Sequence, residues 1–109
     1  MTVKELTDLD GINALCLPSP ERQIGGAYIG DLLSWVMGRA NADDVWITIM
    51  SNVNVVAVAT LADVCCILLA EGVVPERSVL EVAEAKGVNV LSSDMTAFEL
   101  ARILSGVIE

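Results

Sequence analysis

The residues able to do chemistry fall into three groups. Arg22 shortly precedes Gly25-Gly26, and a guanidinium beside glycine-freed backbone amides can cradle a phosphate; the same residues also serve as a plain two-glycine turn. Ser51, Asn52, Asn54, Ser92, Ser93 and Asp94 each follow an apolar stretch. Together they can form a polar pocket where helix N-termini favour an anion, and singly each can cap a helix. Asp31 with Asp63 or Asp94 offers a pair of carboxylates for proton transfer, although Asp31 is equally placed to cap a helix.

Other chemistry is excluded. The chain has no histidine, which removes imidazole bases and histidine metal ligands. No glycine-rich stretch is followed by the lysine of a GxxxxGK[ST] phosphate loop. Cys16, Cys65 and Cys66 are an odd set without CxxC spacing, and no cationic apolar leader precedes them, so buried thiols in a reducing cytoplasm are expected. If Cys65 and Cys66 lie in a strand they point to opposite faces and cannot share a metal. No catalytic centre, cofactor or metal is expected.

Composition sets the frame that must position these groups. The length of 109 residues suits one domain, here residues 1–109. Hydrophobic residues at 54% with charged residues at 19% favour folding over disorder. Aromatics at 4% make the core aliphatic, with Trp35 and Trp46 its largest candidates. A net charge of -9, from 15 acids against 6 scattered basic residues, argues against nucleic acid. The apolar run Val53 to Ala70 has the length of a membrane span, but Asn54, Thr60 and Asp63 interrupt it. It reads as a buried helix followed by a buried strand, and no membrane role is expected.

The alternation of elements predicts an α/β domain with a mostly parallel sheet of about four to five strands flanked by helices. Strands are expected at Asn13–Leu17, Ala27–Ile29, Val45–Met50, Val64–Leu69 and Val88–Leu91. Helices are expected at Thr2–Leu9, Leu32–Met37 capped by Asp31, Val55–Ala62 capped by Asn52 or Asn54, and a stretch begun by Pro75 and ended by Gly87. A last helix is capped by Ser93 or Asp94, with Met95, Phe98, Leu100, Ala101 and Leu104 at helical spacing. Right-handed crossovers then bring the strand ends before Ser51, Glu71 and Ser92 to one edge, where open α/β sheets bind ligands.

The run Glu21-Arg22-Gln23-Ile24-Gly25-Gly26-Ala27-Tyr28-Ile29-Gly30-Asp31-Leu32-Leu33-Ser34 resembles the signature of the DRTGG domain family. The likeness continues through Val45–Ile49, Asn52–Ala59, Cys66–Leu69 and Val90–Ser93. Arg22 and Gly26 keep the named motif, while Glu21, Gly25 and Ala27 replace its Asp, Thr and second Gly. The loop is expected to keep its shape with altered ligand chemistry, and Ala27 argues against a left-handed backbone there.

The resemblance implies a regulatory or dimer-forming module of the kind found beside HPr kinase/phosphorylase, phosphotransacetylase and CBS-containing pyrophosphatases. Freestanding copies occur in anaerobic bacteria. The leading expectation is therefore a non-catalytic homodimer that tunes a partner enzyme. The alternative is a sensor for a nucleotide or other small phosphate compound, bound by Arg22, Gly25, Gly26, Tyr28, Asp31, Ser51, Asn52, Asn54, Ser92 and Ser93. A small enzyme is a remote third. Trp35 stands where the family usually has a polar residue, so it either fills the core or lies on a dimer face.

Overall fold

The middle of the sheet is made by segments apolar on both sides. In the computed structural model, which describes Met1–Ile108, β3 (Asp44–Thr48) and β4 (Cys66–Leu69) are buried along their whole length. Such strands must be covered on both faces. β3 is flanked in parallel by β2 (Gly26–Ile29) and β4, and β4 is followed in parallel by β5 (Val90–Ser92). β1 (Asn13–Cys16) adds an antiparallel edge on β5, giving the order β1-β5-β4-β3-β2. The sheet is mixed and mostly parallel, as expected.

Helix placement follows from strand order. Every step from β2 to β5 moves the same way across the sheet, so right-handed crossovers put α2 (Leu33–Arg39), α3 (Val53–Ala62) and α4 (Arg77–Lys86) on one face. There Val36, Val55, Val56, Ala59 and Ala83 pack on Trp46, Ile67, Leu69 and Val90. The opposite face belongs to α1 (Val3–Leu6) and α5 (Ala97–Val107), whose Val3, Leu6, Leu100 and Leu104 pack on Val45, Ile47, Leu68 and Leu91. Each fully buried aliphatic side chain contributes roughly 1.5–3 kcal/mol. The run Val53–Ala70 is split between α3 and β4 by Asp63 in the left-handed conformation, φ 57°. No helix among the described residues is long and apolar enough to cross a membrane.

Several local expectations are corrected. Asp31 does not cap α2; Leu32 occupies that position and makes no side-chain cap bond. α4 starts after Glu76 rather than at Pro75, and Gly87 ends it with φ 76° as expected. Thr96, not Ser93 or Asp94, caps α5 in a reciprocal box with Glu99. Phe98 is 71% exposed, so it belongs to the outer side of α5. Cys65 precedes β4 in a bend, where strand alternation does not hold. Both Cys65 and Cys66 therefore lie in the core on the α1/α5 side rather than on opposite faces.

Candidate functional site

At the C-terminal edge of the parallel strands, two loops are tied down by side chains. Asp31 Oδ1 accepts from Thr48 Oγ1 at 2.7 Å and from the Ile49 amide at 3.0 Å. Thr48 Oγ1 in turn accepts from the Met50 amide at 3.1 Å. Trp46 Nε1 donates to the Gly30 carbonyl at 2.8 Å. The segment after β2 is thus fixed over the end of β3, because a buried tryptophan N–H and threonine hydroxyl both need partners. Asp31 is spent on this joint, and neither Asp63 nor Asp94 shares it.

Next to that joint lies a groove of about 470 Å³ between the starts of α3 and α4. Ser51, Asn52 and Val53 form one wall; Val74, Glu76, Ser78 and Val79 form the other. Asn52 is held in place as the cap of α3, its Oδ1 accepting from the Asn54 amide at 3.0 Å. Ser51 and Asn52 are therefore brought to one edge as anticipated. The second wall was not anticipated: Pro75 drew attention to the helix start, while the polar signal came from Glu76 and Ser78.

Ser92 and Ser93 lie at the same edge, since Thr48 pairs with Leu69 and Leu69 with Ser92, but they and the other candidates do not line the groove. Ser93 is buried and uses its hydroxyl to accept from the Met95 amide at 3.1 Å, with its backbone bonded to Leu69 and Gly72. Ser92 is 7% exposed, ends β5 and does not line the groove. Tyr28 packs with the α2–α4 side of the core under Gly30, where an added Cβ would come within 2.8 Å of the ring. Asn54 is exposed on α3 outside the groove lining.

Arg22, Gly25 and Gly26 sit at the opposite end of the sheet. Gly26 pairs with Asp44 where β2 and β3 begin, and β3 separates that end from Ser51 by roughly 13–17 Å at about 3.3 Å per residue. A single pocket containing all ten candidates does not form. Neither glycine has positive φ, and Gly26 has a packing reason, since a Cβ there would meet Asp44 Oδ1 at 2.9 Å. Ala27 also avoids positive φ, as its side chain requires. Arg22 donates to Asp43 Oδ1 at 2.6 Å, Asp63 Oδ1 at 3.0 Å and the Asp63 carbonyl at 3.0 Å. Partial burial works against its charge, but the hydrogen bonds and charges of Asp43 and Asp63 outweigh this and raise its pKa. Its long-range partners carry no local sequence signal.

All three cysteines are free thiols, and Cys65 and Cys66 are buried. Cys66 is held well above its ordinary pKa, first by its hydrogen bond with Cys65 and then by burial. Burial, with Glu84 nearby, also raises Cys16. Among the described residues no cluster of His, Cys, Asp and Glu is arranged to hold a metal.

Trp35 is 52% exposed, which settles its placement outside the core, and the Arg39 guanidinium covers its ring at 3.7 Å.

No curated protein matches the sequence. A similar fold occurs in the CBS and DRTGG domains of the regulatory region of Clostridium perfringens pyrophosphatase complexed with activator, diadenosine tetraphosphate. The likeness has a TM-score of 0.65 at 14% identity, over 85% of this chain and 41% of that one. The chain thus spans less than half of that regulatory region. The family model for the DRTGG domain matches residues 21–107, the signature loop and every element from β2 to α5, and the chain belongs to the DRTGG domain family.

Proposed function

We propose that the chain is a non-catalytic regulatory module that works as a homodimer and tunes a partner enzyme. The observation that carries this reading is unpartnered apolar surface. Ile29, Leu32, Trp35, Met37 and Ile49 are exposed along one flank of the sheet and on α2. The family supports it, since the similar pyrophosphatase domains are a regulatory region. Free thiols in the core suit a reducing cytoplasm. Light scattering on the purified chain tests the reading: a dimer at micromolar concentration is expected, and a strict monomer overturns it.

The groove between α3 and α4 favours a second reading, a sensor for a nucleotide. Its hydroxyl and amide groups, valine walls and the Glu76 carboxylate fit a sugar or base. A bare phosphate is disfavoured beside Glu76 in a chain of charge -9. The similar pyrophosphatase region is described with diadenosine tetraphosphate as activator. Thermal melting with mono- and dinucleotides tests this reading, because ligand at 100 times Kd adds about 2.7 kcal/mol of stability. No shift with any of them removes it.

A further inference from the structure

The groove between α3 and α4 combines two kinds of wall. Val53 is 49% exposed and Val74 64%, one on each side, so neither valine is used by the core. A β-branched side chain is stiff at χ1, and the pair therefore makes a firm slot for a flat ring. Around the slot stand groups that can hydrogen-bond. Ser51 and Ser78 bring hydroxyls, which donate and accept, and Asn52 keeps its Nδ2 as a donor because its Oδ1 is engaged by the Asn54 amide at 3.0 Å. Glu76 stands at the cap position of α4 but makes no side-chain cap bond, so its carboxylate remains available.

Depth and rigidity limit how a ligand can lie. Beneath the groove, Ser51, Asn52 and Val79 close over Val55 and Pro75 with about 10 Å³ between them, room for no more than a water. Within the groove itself there are about 470 Å³, inside the range of roughly 300–1,000 Å³ that small-molecule sites occupy. A ligand must lie along the groove with one side in solvent. The Ser51 wall is set in advance, since the Met50 amide is tied to Thr48 Oγ1 and Asn52 to the first turn of α3. Pre-formed walls lower the ordering cost of binding.

Charge decides which end of the ligand faces inward. Glu76 on the wall, in a chain of net charge -9, repels a phosphate. An ionised carboxylate instead accepts from two hydroxyls at once, and such charge-assisted bonds are the stronger kind. An entirely apolar ligand would cover the carboxylate and strip its water without replacing it. A metal ion would meet one carboxylate alone, and no cluster among the described residues is arranged to hold one.

We propose that the groove recognises the nucleoside end of a ribonucleotide: the Glu76 carboxylate accepts from the 2′- and 3′-hydroxyls, the base lies between Val53 and Val74, and the 5′-phosphates point out to solvent. The proposal rests on the sensor reading above and names what the site selects, which is ribose over deoxyribose regardless of the number of phosphates. Ser51, Ser78 and the Asn52 amide are then left to meet the polar edge of the base.

The test is titration calorimetry of the whole chain with adenosine, guanosine, cytidine and uridine, each as nucleoside, 5′-monophosphate and 5′-triphosphate, and each beside its 2′-deoxy counterpart. The expected result is that at least one base binds, with the ribo form tighter by about tenfold or more, the scale of a charge-assisted hydrogen bond. Nucleoside and phosphorylated forms of that base should agree within about threefold at physiological salt, where exposed charges are screened. Glu76→Ala should bind both sugars alike, while Val74→Ala should weaken both equally; these side chains are exposed, so neither change threatens the fold. Equal binding of ribo and deoxy forms, affinity that climbs with phosphate number, or a ribose preference untouched by Glu76→Ala each overturns the proposal and leaves the nucleotide sensor reading standing. Free ribose bound as tightly as the nucleoside overturns it in favour of a plain sugar site. Binding of none of these compounds overturns it too, and if dinucleotides also fail, the sensor reading falls with it.

Discussion

Arg22 holds Asp63 twice, donating from Nη1 to its carboxylate at 3.0 Å and from Nη2 to its carbonyl at 3.0 Å. The same Nη2 reaches Asp43 at 2.6 Å. Asp43 and Asp63 are both non-glycine residues with left-handed backbone, φ 69° and 57°. Arg22 therefore works as a clamp on two strained turns, one leading into β3 and one leaving α3.

Removing the clamp has a defined cost. Arg22→Ala should lower unfolding stability in urea by about 1–2 kcal/mol, the lower range for charged hydrogen bonds because the aspartates are largely exposed. Arg22→Lys should recover less than half, since an ammonium cannot span the two turns as a planar fork does. At position 63 itself, Asp63→Asn should be milder than Asp63→Ala, because Asn tolerates the left-handed region. Equal effects for Asn and Ala would show that backbone strain plays no part.

The second joint predicts a different pattern. Asp31→Ala leaves the buried Thr48 hydroxyl without its acceptor and frees the segment after β2. A loss of about 1–3 kcal/mol is expected for an orphaned buried polar group. Asp31→Asn keeps an acceptor oxygen and should retain most of the stability. Thr48→Val, measured in both backgrounds, gives the coupling directly; additive losses would mean the two residues do not act together.

These two joints also mark the limit of what the chain reveals before folding. The parallel core was legible because Val45–Ile49 and Cys66–Leu69 are apolar on both faces, and α3 and β4 were separable because Asn54, Thr60 and Asp63 break their run. The gathering of Ser51 and Asn52 at the sheet edge followed from the same alternation. Asp31 was misassigned as a cap because capping is a local rule, whereas its partners are on β3. The partners of Arg22 are 21 and 41 residues away, a distance over which spacing carries no information. The cap of α5 was readable as Thr96-x-x-Glu99, but Ser93 and Asp94 lay nearer to the strand. The pleat rule for Cys65 and Cys66 failed because one of them is not in the strand.

That cap gives a pH prediction with a fixed sign. The Thr96 amide, then its hydroxyl, hold the Glu99 carboxylate below its ordinary pKa of 4.5. A carboxylate with a depressed folded pKa stabilises above the unfolded value and loses that contribution as pH falls through the folded one. Glu99→Gln should therefore match the wild type in acid, where both side chains are neutral, fall behind it as pH rises through the depressed folded pKa, and stay behind by a constant amount above 4.5. Glu5, lowered in the same way by Thr2, should behave alike in Glu5→Gln. Melting temperatures between acid and neutral pH check both, and a gap that stays constant across that whole range would contradict the assignment.

The register of α5 sets up the sharpest contrast between neighbours. Phe98 and Leu100 are both large apolar residues, but Leu100 is fully buried against Val45 and Leu68 while Phe98 is 71% exposed. Leu100→Ala should cost about 2–5 kcal/mol, the sum of lost transfer energy and the cavity left behind. Phe98→Ala should stay within about 0.5 kcal/mol, as surface substitutions do. Both are read from urea unfolding midpoints at constant m-value, so that a change in the denatured state is not mistaken for a change in packing. If Phe98→Ala proves as costly as Leu100→Ala, the helix is rotated about its axis relative to this arrangement.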